Sequence, residues 1–421
     1  MLAIRNIGEL ALVPAGPVAG RSMRDLSVLP DAAILIEDGS IAWYGEESAF
    51  IAPAGCDEID AEGGAVVPGL IDCHTHTVFA GTRENEFVQR IEGRSYAQIA
   101  ESGGGIRVTV EAVREAGVGE LVELARPRLD RMLANGVTTV EIKSGYGLSV
   151  DDELKMLEAI QRLSKLTPIE LVPTYLAAHT TPREFAGRPD EYLETVFADG
   201  VLSRISRLGL AEFCDVFCEK TAFDIRQCRH VLAKAKDYGL QPKLHADQIT
   251  QMGASRLAAE VGAISADHLE MIDDPGIEAL KEAGTIAVLL PGCSFFLGVR
   301  QAPARRIIEA DVPVALATDY NPGSSMIESL PLVMTIACTQ MRMTPSEALI
   351  ATTANAAAAV GRQDRIGAIE VGMQADLVIL DVPRHERWCY EPGRNCVRTV
   401  ISRGAVVYPT SADGACTEIE P

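Results

Sequence analysis

The stretch Gly69-Leu70-Ile71-Asp72-Cys73-His74-Thr75-His76 ends an apolar run in two histidines that are two positions apart. Alternate residues of a strand share one face, so both imidazoles can reach a single metal ion if this run is a strand. Three more of the seven histidines in the chain close similar runs, namely His179, His245 and His268. Each of them alone is more simply interpreted as a core or loop histidine. Five histidines at strand ends together predict a shared site.

Outward from this stretch, β-like runs alternate with helix-like runs, which is the pattern of βα units around a parallel sheet. The predicted strands are residues 66–76, 136–144, 170–179, 214–219, 241–245, 262–268, 285–291 and 312–319. Eight strands in series predict an α/β fold, a closed (β/α)8 TIM barrel whose chemistry lies at the C-terminal ends of the strands. The five histidines fall at such ends, and so does Asp319.

Both ends of the chain are rich in short β-like runs and turns. Residues 33–45 contain an Asp-Gly pair between two such runs, which indicates a hairpin. Residues 372–381 and 397–407 show the same character near the other end. We therefore expect residues 1–65 and 367–421 to form one small β-sandwich domain beside a barrel of residues 66–366.

The composition limits the classes of partner. The chain has 421 residues, of which 47% are hydrophobic, and a formal net charge of −21. This charge argues against nucleic acid or an anionic membrane as the main partner, because both favour positive protein surfaces. No run approaches the length of a membrane span, and the N-terminus lacks a signal-peptide pattern. The ten cysteines are scattered, as expected of a cytoplasmic enzyme with reduced thiols.

The residues at the strand ends predict one divalent metal ion. We expect His74, His76, His245 and Asp319 to bind it, with water in the remaining position. Three nitrogens and a carboxylate suit zinc or iron better than magnesium or calcium, which prefer oxygen ligands. Such an ion lowers the pKa of its bound water to about 7. Asp319 is then placed to accept a proton from that water, and His268 to hold the water or polarise the electrophile.

These residues resemble the metal-dependent amidohydrolase superfamily, in which a first-strand HxH pair, two later histidines and a final aspartate recur. Segment 367–378 is also similar to the return from barrel to β domain in that superfamily. Within it, the chain most resembles the imidazolonepropionase family, through segments 79–87, 141–148, 215–219, 243–248 and 318–325. The resemblance implies hydrolysis of the cyclic amide of 4-imidazolone-5-propanoate to N-formimidoyl-L-glutamate, a step of histidine degradation.

The resemblance also implies a set of substrate contacts: Arg83, Tyr146, His179, Gln248 and Ser324, with Asn321 and Gly323 lining the product pocket. A planar guanidinium at position 83 can hold a carboxylate bidentately, which an anionic substrate requires; a surface arginine is the alternative. Tyr146 lies between two glycines, so its ring can approach a ligand. His179 can donate to the substrate carbonyl as charge develops there.

Gln248 departs from the superfamily pattern, because many relatives carry glutamate at this position. A neutral amide does not shuttle protons, which disfavours an aromatic-base deaminase. A related amidohydrolase or deaminase acting on another small anionic cyclic amide or N-heterocycle remains the alternative function. A non-catalytic barrel that serves as a binding scaffold is the third.

Three further expectations concern metal count, loop motion and assembly. Lys143, Glu219 and Lys220 are candidates to bridge a second metal, but we expect one ion because the resemblance is to a mononuclear branch. The glycine-rich segment 93–106 follows the strand with the HxH pair, and its glycines at 103–105 suggest a lid over the substrate. A homodimer is expected, as for most soluble oligomers.

Overall fold

The computed structural model describes residues 1–94, 98 and 104–409. In chain order the strands are β1 Leu2–Leu12, β2 Ser27–Glu37, β3 Ser40–Glu46, β4 Asp57–Asp60, β5 Ala65–Pro68, β6 Leu70–Thr75, β7 Val137–Lys143, β8 Glu170–Ala178, β9 Phe213–Cys218, β10 Gln241–Ala246, β11 Ser265–His268, β12 Ile286–Leu289, β13 Val314–Leu316, β14 Leu377–Leu380, β15 Val397–Ser402 and β16 Ala405–Tyr408.

The α-helices of the described ranges are α1 Glu84–Ile91, α2 Ile106–Glu115, α3 Val118–Ala134, α4 Val150–Leu163, α5 Pro189–Val196, α6 Asp199–Leu208, α7 Ile225–Asp237, α8 Ala254–Val261, α9 Asp274–Ala283, α10 Pro291–Leu297, α11 Ala304–Glu309, α12 Leu330–Met341, α13 Pro345–Ala351, α14 Ala354–Ala359 and α15 Glu386–Tyr390. Short 3-10 turns occupy Gly20–Met23, Glu47–Ala49 and Arg183–Phe185. Over the described ranges, none of these helices combines the length and apolarity needed to cross a bilayer.

Strands β6 to β13 form one parallel sheet in which each strand pairs with the next in sequence. The first and last strands meet just beyond β13, where Thr75 bridges Tyr320. The Asp319 N–H donates to the His74 carbonyl at 3.0 Å, and the His76 N–H donates to the Tyr320 carbonyl at 3.0 Å. These bonds close the sheet at its C-terminal edge. The predicted (β/α)8 barrel is therefore confirmed.

The first predicted strand, residues 66–76, is in fact two strands in different sheets. β5 belongs to the second sheet and β6 to the barrel. Between them the Gly69 N–H donates to the Asp376 carbonyl at 2.8 Å, and a Cβ at this position would lie 2.3 Å from Thr138 Oγ1. An unbroken apolar run carries no mark of such a change of sheet. The predicted boundaries at 65/66 and 366/367 stay predictions, since β5 runs across the first of them.

The second sheet joins both ends of the chain, in the order β16-β15-β14-β5-β1-β2-β3 with β4 also paired to β1. β5 lies parallel to β1 and antiparallel to β14, which links the two ends directly. The predicted hairpin is present between β2 and β3, and its turn residues Asp38 and Gly39 both have positive φ, at 47° and 78°. This sheet has its own apolar core, formed by Ile4, Ile7, Leu10, Ala32, Ile34, Ile36, Ile41, Ala61, Val66, Ile369, Ala375, Leu377, Ile379 and Ile401.

Local signals set the helices around the barrel. α7 begins at Asp224, whose carboxylate accepts the Gln227 N–H at 2.8 Å while the Gln227 amide accepts the Asp224 N–H at 2.9 Å. This reciprocal capping satisfies two N–H groups that the first helical turn leaves unpaired. α8 and α9 end at Gly262 and Gly284 in the left-handed conformation, which glycine adopts without steric cost. Each helix thus returns the chain to the N-terminal end of the next strand.

Candidate metal centre

Four side chains of the predicted ligand set converge at the C-terminal edge of the barrel. His74 lies in β6, His76 directly follows that strand, His245 lies in β10 and Asp319 lies just past β13. The Nε2 atoms of His74 and His76 are each 3.6 Å from Asp319 Oδ1. The rings of His74 and His245 have centroids 4.5 Å apart. All four residues are at most 3% exposed, so the set lies inside the barrel mouth.

His74 shows that the set fits a metal ion. Its Nδ1 lies 2.6 Å from Asp267 Oδ2, and because an ionised carboxylate only accepts, Nδ1 carries the hydrogen. Nε2 therefore presents a lone pair, and it is buried with no hydrogen-bond partner among the described residues. Buried polar atoms are normally satisfied. A divalent cation is the partner that this nitrogen, together with the carboxylate of Asp319, can bind.

Burial sets the charge of these groups. It lowers the pKa of His74 and His76 well below the usual value, with help from Lys143 at His74 and from His179 at His76. Both imidazoles are therefore neutral, which is the form that binds metal. Burial raises the pKa of Asp319. A bound cation would favour its ionised form.

His268 lies beside this set, with its ring centroid 5.2 Å from that of His245 and 5.6 Å from that of His74. Burial lowers the pKa of His268, but the carboxylate of Glu270 outweighs it, and the net shift is upward. Glu270 Oε1 is 3.7 Å from His268 Nδ1 and accepts a hydrogen bond from Ser294 at 3.2 Å. The sequence reasoning missed Glu270. An acidic residue two positions after a strand-end histidine was the available signal.

Beneath the ligands lies a set of buried charges that we call the lysine network: Lys143, Lys243, Glu141, Asp215 and Asp267. All five are fully buried. Sequence reasoning considered Lys143 as a metal bridge and missed the network. The available signal was the spacing i, i+2 of Glu141 with Lys143 and of Lys243 with His245, which puts charged groups on the barrel-interior face of two strands.

Arg83 lies close to Gly323, as the substrate-pocket prediction requires. A Cβ at position 323 would lie 2.2 Å from Arg83 Nη1, so a larger residue would displace the guanidinium from its present position. Arg83 Nε and NH2 both donate to Glu86 Oε2, at 3.0 and 2.7 Å. Glu86 Oε1 accepts the Gly105 N–H at 2.8 Å. The carboxylate of Glu86 thus fixes one edge of the guanidinium and leaves NH1 directed toward Gly323.

Tyr146 and His179 lie beside His76, with ring centroids 5.6 and 5.3 Å from it, respectively, and 5.5 Å from each other. His179 Nδ1 is 3.0 Å from the Gly145 carbonyl, which only accepts, so Nδ1 is the donor. Burial and the neighbouring His245 lower the pKa of His179 to about 3, so the ring is neutral. Its Nε2 is then an acceptor, whereas the sequence suggested a donor to a substrate carbonyl.

The loop after β13 is held by Asn321. Its Nδ2 donates to the Asp319 carbonyl at 2.6 Å and to Ser324 Oγ at 2.9 Å. Its Oδ1 accepts the N–H groups of Gly323 and Ser324, both at 2.8 Å. All four hydrogen-bonding positions of the amide are thus used inside the loop. Asn321 therefore shapes the loop that we expect to line the product pocket, and Ser324 Oγ lies 3.4 Å from Asp319 Oδ2.

Known proteins share this chain's sequence along almost its whole length. A family model described as "Amidohydrolase family" matches residues 106–408. The imidazolonepropionase of Geobacillus kaustophilus (strain HTA426) is 48% identical over 408 residues, 96% of each chain. That of Geobacillus sp. (strain WCH70) is 46% identical over 414 residues, 96% of this chain and 97% of the relative. The chain belongs to the imidazolonepropionase family.

The family's fold extends to more distant proteins. The crystal structure of 5-methylcytosine deaminase from Klebsiella pneumoniae liganded with 5-fluorocytosine matches with a TM-score of 0.74 and 18% identity, covering 98% of each chain. At this identity the likeness shows the fold alone. The amidohydrolase superfamily is metal-dependent. In this chain, two groups that share His74 each place their potential ligand atoms within 4.8 Å of one another. One group is His74, His76 and Asp319, and the other is His74, His245 and His268.

Gln248 of this imidazolonepropionase-family chain lies near the ligands, with Nε2 3.9 Å from Cys293 Sγ. Cys293 in turn lies within 4.8 Å of ligand atoms of His268 and Asp319. The loop after Gln248 is held by Glu219, whose Oε2 accepts the N–H groups of Ile249 and Thr250, each at 3.0 Å. Glu219 is therefore a structural carboxylate of this loop.

Asp247, which precedes Gln248, points away from the ligands. Its carboxylate accepts the N–H groups of Met252 and Ala254 at 3.1 Å and that of Ser255 at 3.0 Å, at the start of α8. It therefore caps a helix, where a negative charge is favoured. The predicted lid, residues 93–106, falls largely outside the described residues, which do not include 95–97 and 99–103. Its motion stays a prediction.

Proposed function

We propose that this protein hydrolyses the cyclic amide C–N bond of 4-imidazolone-5-propanoate and gives N-formimidoyl-L-glutamate, a reaction of histidine degradation. The observation that carries the proposal is the convergence of His74, His76, His245 and Asp319 at the barrel mouth of a member of the imidazolonepropionase family. The pocket around them has the arginine that an anionic substrate needs.

The cofactor we propose is one divalent ion, zinc or iron, held by these four residues. When bound, such an ion supplies Lewis acidity and lowers the pKa of water to about 7. A single ion is supported because Lys143 and Glu219, the two buried candidates for a bridge, are engaged elsewhere. Glu219 holds the loop after Gln248. Lys143 Nζ is paired with Glu141 at 2.7 Å and Asp215 at 2.8 Å. Burial opposes its charge, but these carboxylates outweigh it and raise its pKa, whereas a bridging carbamate requires a neutral amine.

We assign the proton transfer to Asp319. As the oxygen of water forms a bond to the amide carbon, the carboxylate of Asp319 accepts the proton and then delivers it to the ring nitrogen whose bond to that carbon breaks. His268 lies where it can hold the water or polarise the electrophile. Gln248 orients the ligand without taking a proton.

Substrate recognition is assigned to groups on both sides of the barrel mouth. We propose that NH1 of Arg83, beside Gly323, binds the propanoate carboxylate. Ser324 contacts the ligand from the same loop. Neutral His179 accepts a ring N–H through Nε2, because its Nδ1 hydrogen is held by the Gly145 carbonyl. We also assign the phenol of Tyr146, buried beside His179, to substrate binding.

Freshly generated 4-imidazolone-5-propanoate tests the proposal, with its ultraviolet absorbance followed before chelation, after chelation and after return of zinc or ferrous iron. We expect turnover that is lost on chelation and regained with metal. Metal-loaded protein that is inactive on this compound but opens another small anionic cyclic amide would instead establish the related amidohydrolase. Activity on no such compound would favour a binding scaffold.

We also propose a cytoplasmic homodimer whose only partner in catalysis is the small anionic substrate, with no nucleic acid or membrane involved. The net charge of −21 supports the last two points, since both surfaces repel an acidic protein. Light scattering of the protein as it elutes from a size-exclusion column gives its mass in solution. A monomer mass at working concentration would contradict the dimer.

A further inference from the structure

The lysine network lies directly below the metal ligands and touches two of them. Asp267 Oδ2 is 2.6 Å from His74 Nδ1. Asp215 Oδ1 accepts the His245 N–H at 3.1 Å, and its Oδ2 is 2.9 Å from His245 Nδ1. Two of the proposed metal ligands therefore rest against two buried carboxylates. Such carboxylates fix the orientation and the protonated nitrogen of a metal-binding histidine.

Lys143 is the group that joins these two carboxylates. Its ammonium is 2.8 Å from Asp215 Oδ2, 3.5 Å from Asp267 Oδ2 and 2.7 Å from Glu141 Oε1. An ammonium has three N–H groups, and here three carboxylates surround it. No other lysine of the described residues forms an ion pair with Asp215 or Asp267.

Lys243 differs in its contacts although it is equally buried. Its ammonium is 2.6 Å from Glu141 Oε2 and 3.1 Å from the Ala359 carbonyl. It shares Glu141 with Lys143 but lies beyond the carboxylates that hold the histidines. The chain thus supplies a matched pair of buried lysines, of which one contacts the supports of the metal ligands.

We propose that Lys143 is a positioning residue of the metal centre, which sets metal affinity by holding Asp215 and Asp267 in place against His245 and His74. The inference rests on the metal centre of the proposed function. Two effects of its charge oppose each other. A cation below the site repels a bound metal, but it also holds Asp215 and Asp267 in place, and Lys243 pairs with neither of them. We expect the second effect to dominate. Removing the ammonium of Lys143 leaves buried carboxylates without their partner, and this is the larger perturbation.

The test compares zinc affinity, measured by competition with a chromophoric chelator, in the unmodified full chain and in Lys143→Met and Lys243→Met. We expect Lys143→Met to weaken zinc binding by about 10- to 100-fold, and Lys243→Met to weaken it far less at a similar loss of thermal stability. The visible absorption of the cobalt-loaded protein should change in Lys143→Met and not in Lys243→Met, because it reports ligand geometry.

A double variant separates position from charge and guards against misfolding. With all five groups ionised, the lysine network has two positive and three negative charges, so one negative charge is in excess. Lys143→Met with Glu141→Gln leaves one positive and two negative charges and so keeps the same excess. We expect zinc affinity to stay low in it. Equal losses in both lysine variants, unchanged or tighter binding in Lys143→Met, or full recovery in the double variant would each overturn the proposal. Absence of zinc binding in the unmodified chain would instead refute the metal centre itself.

Discussion

The metal ligands and the lysine network lie next to each other in one barrel, yet they differ in how their polar atoms are satisfied. Among the ligands, His74 Nε2 is buried without a hydrogen-bond partner in the described residues. In the network, Lys143 and Lys243 each have carboxylate partners within 2.8 Å. The difference teaches that the site pairs a layer with a partnerless histidine nitrogen, available to a metal, with a layer of buried ion pairs that holds it. Substitutions in the two layers should therefore affect different measurements.

The largest expected effect comes from the ligand layer. Asp319→Asn keeps the shape of the side chain but removes the proton acceptor and a charged ligand. We expect kcat to fall by at least about 10³-fold, since general-base catalysis alone contributes up to about 10⁴-fold. The unfolding temperature of the metal-free protein should hold or rise, because burial makes the charge of Asp319 costly. A variant that keeps a tenth of its kcat would remove Asp319 from the proposed proton transfer.

Arg83→Met tests the pocket above the ligands. Hydrogen bonds to a charged group contribute about 1.5–3 kcal/mol, so we expect kcat/KM to fall by about 10- to 100-fold, mainly through KM. The substitution leaves Glu86 without its partner, so Arg83→Met with Glu86→Gln should show the same KM and better stability. Arg90→Met, in the helix α1 that follows Arg83, serves as the control. Unchanged kcat/KM in Arg83→Met would show that the carboxylate is anchored elsewhere.

Asp267→Asn probes the contact between the two layers. An amide in place of the carboxylate can donate to His74 Nδ1, which favours the wrong tautomer for a metal bond at Nε2. We expect zinc affinity to fall by about 10-fold or more, with activity restored by excess zinc. Equilibrium competition for zinc measures this directly. Affinity equal to that of the unmodified protein would show that the carboxylate does not support the ligand.

The sequence predicted the barrel and the grouping of the candidate ligands because both leave local marks. Histidines at strand ends are rare enough to stand out, and His74, His76 and His245 do converge. The break between β5 and β6 leaves no such mark, since the apolar run continues through it. The lysine network was missed for a related reason. A charge such as Lys143 is identified as buried only when the partners on neighbouring strands are known.

Hydrogen-bond direction also lies beyond the sequence. The tautomer of His179 depends on the Gly145 carbonyl. The hydrogen bonds of the Asn321 amide depend on the shape of its own loop. Both residues lie beside the candidate ligands. Their chemical roles became assignable only with the partner atoms.

The smallest expected effect concerns acid stability of the metal-free protein. The folded pKa of His179 is about 3 and the usual unfolded value is about 6.5, so the unfolded state binds more protons between these pH values. Stability contributed by the neutral ring is present above pH 6.5 and is lost as pH falls toward 3, about 2 kcal/mol by pH 5. His179→Gln should therefore flatten the fall in unfolding free energy between pH 7 and pH 5.

The most direct test of the central claim is zinc or ferrous-iron stoichiometry measured together with turnover of 4-imidazolone-5-propanoate during chelation and reconstitution. The account predicts one metal equivalent per chain, with activity that rises linearly to that point and then stays constant. Full activity in metal-free protein, or activity that requires two equivalents, would contradict it.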